Sequence, residues 1–144
     1  MSIIDVIQSV GIVITIVIAI WQMRLQIKST QASIYASILE RMREINRLSI
    51  EYPEVVAKLS EPFPQNSDIA AGDQLSGIMF TILNLYEELF YHHKKGYIDD
   101  EIWDGWTKTI QKDVKLPYAM GFWEKVKEQY GTSYRDFINT LREK

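Results

Sequence analysis

Residues 3–23 read IIDVIQSVGIVITIVIAIWQM, a nearly unbroken run of isoleucine and valine interrupted by Asp5, Gln8, Ser9, Gly11, Thr15, Ala19 and Gln22. As a helix, these twenty-one residues rise about 31 Å, matching the hydrocarbon thickness of a bilayer. β-Branched residues form helices poorly in water, but in lipid every other conformation leaves backbone groups unsatisfied, at several kcal/mol each. Propensity loses to solvent, and a transmembrane helix is expected over 1–23. Trp21, Arg24 and Lys28 follow as interfacial anchors, an aromatic with a positive flank, whereas the opposite flank holds only the amino terminus and Asp5. The positive-inside rule then places the N-terminus outside and the bulk of the chain in the cytoplasm, as a single-pass protein of the cell membrane. A cleavable signal peptide would carry positive charge before the apolar run and small residues after it, and neither pattern is present.

Between Arg24 and Ser49 there is no proline or glycine, so the helix is expected to continue as a stalk. Ile27, Ile34, Ile38, Ile45, Leu48 and Tyr52 recur along it at helical spacing, with Gln31 and Arg41 as misfits. Tyr52–Pro53 marks a break and starts a short helix bearing Val55, Val56 and Leu59. Ser60 to Asp68, with Pro62, Pro64 and Asn66, is a loop. Ser67 or Asp68 is the expected cap of a core helix carrying Leu75, Ile78, Met79, Ile82, Leu85, Tyr86, Leu89 and Phe90 and stopped by Gly96. Asp99, Asp100 and Glu101 open another helix, with Ile102, Trp103, Trp106, Ile110 and Val114 on one side. Pro117 starts a further one with Met120, Trp123, Val126 and Tyr130, and Ser133 is expected to cap the last, with Tyr134, Phe137, Ile138 and Leu141. No period-two pattern bounded by hairpin turns occurs, so the expected class is all-α: an anchor (1–23), a stalk and short helix (24–60), and a cytoplasmic helical bundle (61–144).

This order of parts resembles a family of small bacterial proteins of unknown function with a membrane helix, a helical stalk and a compact helical domain. The matching pieces are Tyr86, Glu87 and Glu88, then Gly96, Tyr97, Ile98, Asp99 and Glu101, then Trp106 and Trp123, and finally Tyr134 with Phe137. The resemblance spans nearly the whole chain and implies an architecture; it implies no reaction.

Charge and composition narrow the function classes. The chain carries 16 basic and 19 acidic residues, and past Lys28 the balance is about four net negative, which argues against a nucleic-acid partner. Without cysteine, disulfides, thiolate catalysis and sulfur-ligated metals are excluded. Glu88 and His92 lie one helical turn apart and could begin a metal site, but the third and fourth ligands such a site needs are not apparent. His92, His93, Lys94 and Lys95 are better read as a solvated helix end that complements the dipole. The aromatics of the last third, Trp103, Trp106, Tyr118, Phe122, Trp123, Tyr130, Tyr134 and Phe137, recur at helical spacing and read as core before pocket.

The sharper pattern lies in the apolar run. Gln8, Gly11, Thr15, Ala19 and Gln22 recur at three, four, four and three, so small and polar residues share one stripe suited to helix association in lipid. The stalk stripe projected backwards falls on a different face, Val6, Val10, Val13, Val17 and Ile20. Either the stalk packs on its own bundle or the helix bends near Arg24. The expectation is a non-enzymatic, membrane-tethered module without cofactor, bound to lipid, homo-oligomeric through the Gln8–Gln22 face, and presenting its bundle to a cytoplasmic protein. Two alternatives stand beside it: anchors that assemble to permeabilise the bilayer, and a metal-binding protein centred on Glu88 and His92.

Overall fold

The computed structural model describes residues 3–64 and 73–143, the side chains of residues 3–7, 9 and 10 excepted. Within these the chain is all-α. α1 (Ile3–Glu51) is followed by α2 (Pro53–Ala57), a 3₁₀ turn at Lys58–Ser60, α3 (Gln74–Lys94), α4 (Asp100–Val114), α5 (Pro117–Val126), a 3₁₀ turn at Lys127–Gln129, and α6 (Thr132–Glu143). Contacts divide the chain into two units, Met1–Ala36 and Ser37–Lys144. The division falls inside α1 and not after it, so the last turns of that helix belong to the bundle.

In the first unit, α1 is long and apolar enough to cross a membrane, and none of its most apolar window is buried by protein. Every residue from Gly11 to Ser29 is exposed.

In the second unit, the stripe on α1 does find partners. Ile38 and Ile45 are buried, and the misfit Arg41 forms an ion pair with Glu88 of α3. Of the two ways out of the stripe conflict, packing of the stalk on its own bundle is therefore realised. Tyr52 breaks the helix as expected, and Pro53 sits in the first turn of α2, where its missing N–H costs nothing.

Local chemistry explains the element ends. Gly96 adopts φ 76°, the left-handed conformation that a Cβ disfavours. With it, Gly96 N–H donates to the His93 carbonyl (2.8 Å) and Tyr97 N–H to the His92 carbonyl (2.9 Å), which closes α3. At its other end the cap is Asp73, whose carboxylate accepts from the Ser76 N–H at 3.0 Å and the Ser76 hydroxyl at 2.6 Å. Ser67 and Asp68, the expected caps, lie outside the described residues. Ser133 does not cap α6. It lies within the first turn, which is entered from Gly131, whose carbonyl accepts from the Tyr134 and Arg135 N–H groups; Ser133 Oγ instead accepts from Lys94 Nζ at 3.3 Å.

The Ser76 hydroxyl, the backbone N–H groups at Ser76 and Leu75, and the Tyr118 hydroxyl hold the Asp73 carboxyl below its ordinary value of 3.8. Because the folded value is the lower one, the cap stabilises the bundle above about pH 4 and its contribution is lost as the pH falls through the lowered value. Asp73→Ala is expected to cost about 1 kcal/mol at pH 7 in urea unfolding, and close to nothing at a pH where the carboxyl is protonated in both states. An equal cost at both pH values would show that the cap does not act through its charge.

The core combines α3, α4, α5 and α6. Leu85, Leu89, Ile110, Phe122, Trp123, Val126, Tyr134 and Ile138 are almost wholly enclosed. The expected aromatic core is found at Tyr118, Phe122, Trp123, Tyr130 and Tyr134, whereas Trp103, Trp106 and Phe137 are half-buried. Leu83, four residues after Met79 and three before Tyr86, is buried as well, although it was not among the residues expected on that face of α3. Met120, expected on the buried face of α5, is exposed, because Tyr118, Ala119, Phe122 and Trp123 take that face. A Cβ at Gly121 would overlap the side chain of Phe63. The missing side chain lets buried Phe63 lie directly on α5, edge-on to Tyr118 and Phe122.

Candidate functional site

Two places carry features that the packing of the fold does not use up. The first is the uncovered surface of α1. Ile12, Val13 and Val17 are 61%, 59% and 60% exposed, and Ile14, Ile16, Ile18 and Ile20 are similarly bare. A shallow groove along this surface takes in Gln8, Gly11 and Thr15 of the expected association face, together with Ile12 and Ile16; Ala19 and Gln22 lie beyond it. A Cβ at Gly11 would meet nothing within 4 Å, so the helix backbone is open to close approach there. The Thr15 hydroxyl donates to the Gly11 carbonyl at 2.8 Å. That bond satisfies the hydroxyl within its own helix, so Thr15 adds a small residue to the face and no unmet donor. Trp21, Arg24 and Lys28, the expected anchors, line one shallow concavity with Leu25, Ile27 and Gln31. Spacings of three and four bring them to one side of the helix.

The second place is a cavity of about 190 Å³ in the second unit, where α1, α3 and α4 meet. Its wall is mainly apolar, with Ile45, Met79, Leu83 and Val114 contributing, and its polar members are Asn46, Ser49, Tyr86 and Asp113. The Tyr86 hydroxyl donates to Asp113 Oδ2 at 2.5 Å. Burial, and then the neighbouring Asp113 carboxylate, push the Tyr86 phenol far above its ordinary range, so it stays a donor at any physiological pH. Ser49 Oγ donates to the Ile45 carbonyl within α1. This cavity was not foreseen from the sequence. The signal available was Asp113 three residues after Ile110, on the buried side of α4; an acid there needs a partner, and Tyr86 supplies one from the core face of α3.

The candidate metal pair falls elsewhere. His92 Nε2 lies 3.5 Å from Glu88 Oε1, and the other carboxylate oxygen of Glu88 is engaged by Arg41. Among the described residues no group of three or more His, Cys, Asp or Glu side chains is placed to hold a metal ion. His93, expected at a solvated helix end, is half-buried. It stacks on Trp103 at 4.5 Å and 7°, and its Nε2 lies 3.0 Å from Asp100 Oδ1. The chain matches no protein-family profile, no curated protein and no solved structure.

Proposed function

We propose that the chain is a membrane-tethered helical module: α1 crosses the bilayer once with its start outside, and the bundle works in the cytoplasm. The observation that carries this reading is the bareness of α1, whose isoleucines and valines from Ile12 to Ile27 have no protein cover in the chain. Each such side chain is worth roughly 1.5–3 kcal/mol when taken out of water, and a lipid bilayer takes all of them at once. The same helix leaves no backbone group unpaired along the run, which is the condition for residence in hydrocarbon. Trp21, Arg24 and Lys28, gathered on one side at the end of the run, support the orientation, since cations are retained on the cytoplasmic side.

The same reading has copies of the chain associating through Gln8, Gly11, Thr15, Ala19 and Gln22. The open backbone at Gly11 supports it, because helices in lipid pair where small residues permit close packing. The bundle is then brought to the membrane at raised local concentration for a protein partner, with no chemistry of its own required. The absence of native cysteine makes the test direct. Glu143→Cys should react with a membrane-impermeant maleimide only after cells are permeabilised; labelling of intact cells would reverse the orientation. Ala19→Cys should form disulfide-linked dimers in membranes at least several-fold faster than Val17→Cys, which lies on another side of the helix. Equal rates would remove the association face while leaving the anchor standing.

A further inference from the structure

We propose that the cavity between α1, α3 and α4 is a binding site for a small organic cation, an ammonium group on Asp113 carrying an aromatic ring or short alkyl chain into the apolar part. The proposal is independent of which side of a membrane the bundle occupies and of whether the anchor self-associates.

The size is right for such a molecule. An apolar cavity of about 150 Å³ admits benzene, and about 190 Å³ leaves room for one further small group. The walls suit the apolar half: Ile45, Leu83 and Val114 are branched aliphatics, and Met79 and Met42 are flexible thioethers that adapt to an irregular guest.

The charge chooses the other half. Asp113 is half-buried, and Tyr86 satisfies one of its oxygens. Among the described residues, no lysine, arginine or histidine forms an ion pair with it; Lys112 and Lys115, its near neighbours on the chain, are exposed and point to no such pairing. A carboxylate beside an apolar wall is costly to desolvate without a counter-charge, and it repels any anionic guest. A neutral guest would cover it and leave the charge uncompensated. An ammonium compensates it through a charge-assisted hydrogen bond, which grows stronger as the rest of the guest displaces water. A hard metal ion is disfavoured by the same wall, since it seeks six or more oxygens and finds a single carboxylate here. Asn46 and Ser49, also in the wall, carry an amide and a hydroxyl oxygen of the kind that accepts from an ammonium.

The test uses the full chain in lipid nanodiscs, titrated with benzylammonium and n-butylammonium at neutral pH and followed by ligand-observed NMR, with empty nanodiscs subtracted. Benzyl alcohol and toluene serve as uncharged controls. At least one ammonium should bind, the neutral controls at least about tenfold more weakly, and Asp113→Asn should weaken the ammonium by a similar factor. Asp113→Asn keeps the shape and an oxygen for Tyr86, so the fold should survive. Ser49→Leu, which fills the cavity from α1, should abolish binding without lowering the melting temperature. The proposal is overturned if neither ammonium binds beyond empty nanodiscs, if benzyl alcohol binds as tightly as benzylammonium, or if folded Ser49→Leu protein still binds.

Discussion

With Val13→Arg and Val17→Arg together, the chain will leave the membrane pellet, whereas Val13→Leu with Val17→Leu will stay in it. The two valines lie one helical turn apart, near the middle of the apolar run, and both are bare. An arginine at the centre of a membrane helix costs about 2.5–3.5 kcal/mol on insertion scales, so the pair costs roughly 5–7 kcal/mol, or about four orders of magnitude in the partition between lipid and water. Snorkelling relieves part of the cost at Val17, one turn from Trp21, so the pair figure is an upper value, but little of it at Val13, more than two turns away. The bundle begins at Ser37 and buries its core without the first unit, so its fold should be unchanged in the variant. Alkaline extraction of membranes followed by blotting of pellet and supernatant measures the outcome. If the arginine pair stays in the pellet as firmly as the leucine pair, the run is covered by something other than lipid and the proposed function fails with it.

The features that were legible in the sequence are those in which one residue type acts on its own stretch of backbone. Pro53, Gly96 and Pro117 end or start helices because a ring or a missing Cβ acts locally, and the apolar spacing on α3 and α6 follows from the helical repeat. The misreadings share a different cause. The cap of α3, expected at Ser67 or Asp68, is Asp73, which Ser76 engages from within the helix. Met120, expected in the core beside Trp123 and Val126, is exposed because Tyr118, Ala119, Phe122 and Trp123 hold the buried face, onto which Phe63 packs from far along the chain. Arg41 broke a heptad because its partner, Glu88, is 47 residues away. The cavity was illegible for the same reason: Tyr86 and Asp113 are separated by 27 residues, and neither is unusual in its own helix. Contacts of that kind are decided by how helices pack, which spacing along one helix does not encode.

Trp123→Ala will remove much of the stability of the bundle. The indole is 1% exposed, lies edge-on to Tyr134 and tilted against Tyr130, and donates from Nε1 to Asn139 Oδ1 at 2.9 Å, tying α5 to α6. Truncating a buried tryptophan to alanine costs about 3–5 kcal/mol through lost transfer energy and the cavity left behind. The carbonyl of Asn139 also loses its donor, at roughly 1 kcal/mol more. A domain of this size has about 5–15 kcal/mol in total, so the variant should sit near the edge of folding. Trp123→Phe separates the two contributions, since it keeps a ring against Tyr134 and drops only the N–H and part of the area. Urea unfolding of the full chain in nanodiscs should rank wild type above Trp123→Phe above Trp123→Ala, with α1 remaining helical throughout because lipid holds it. A cost below about 1 kcal/mol for the alanine variant would mean that α5 and α6 do not depend on this side chain.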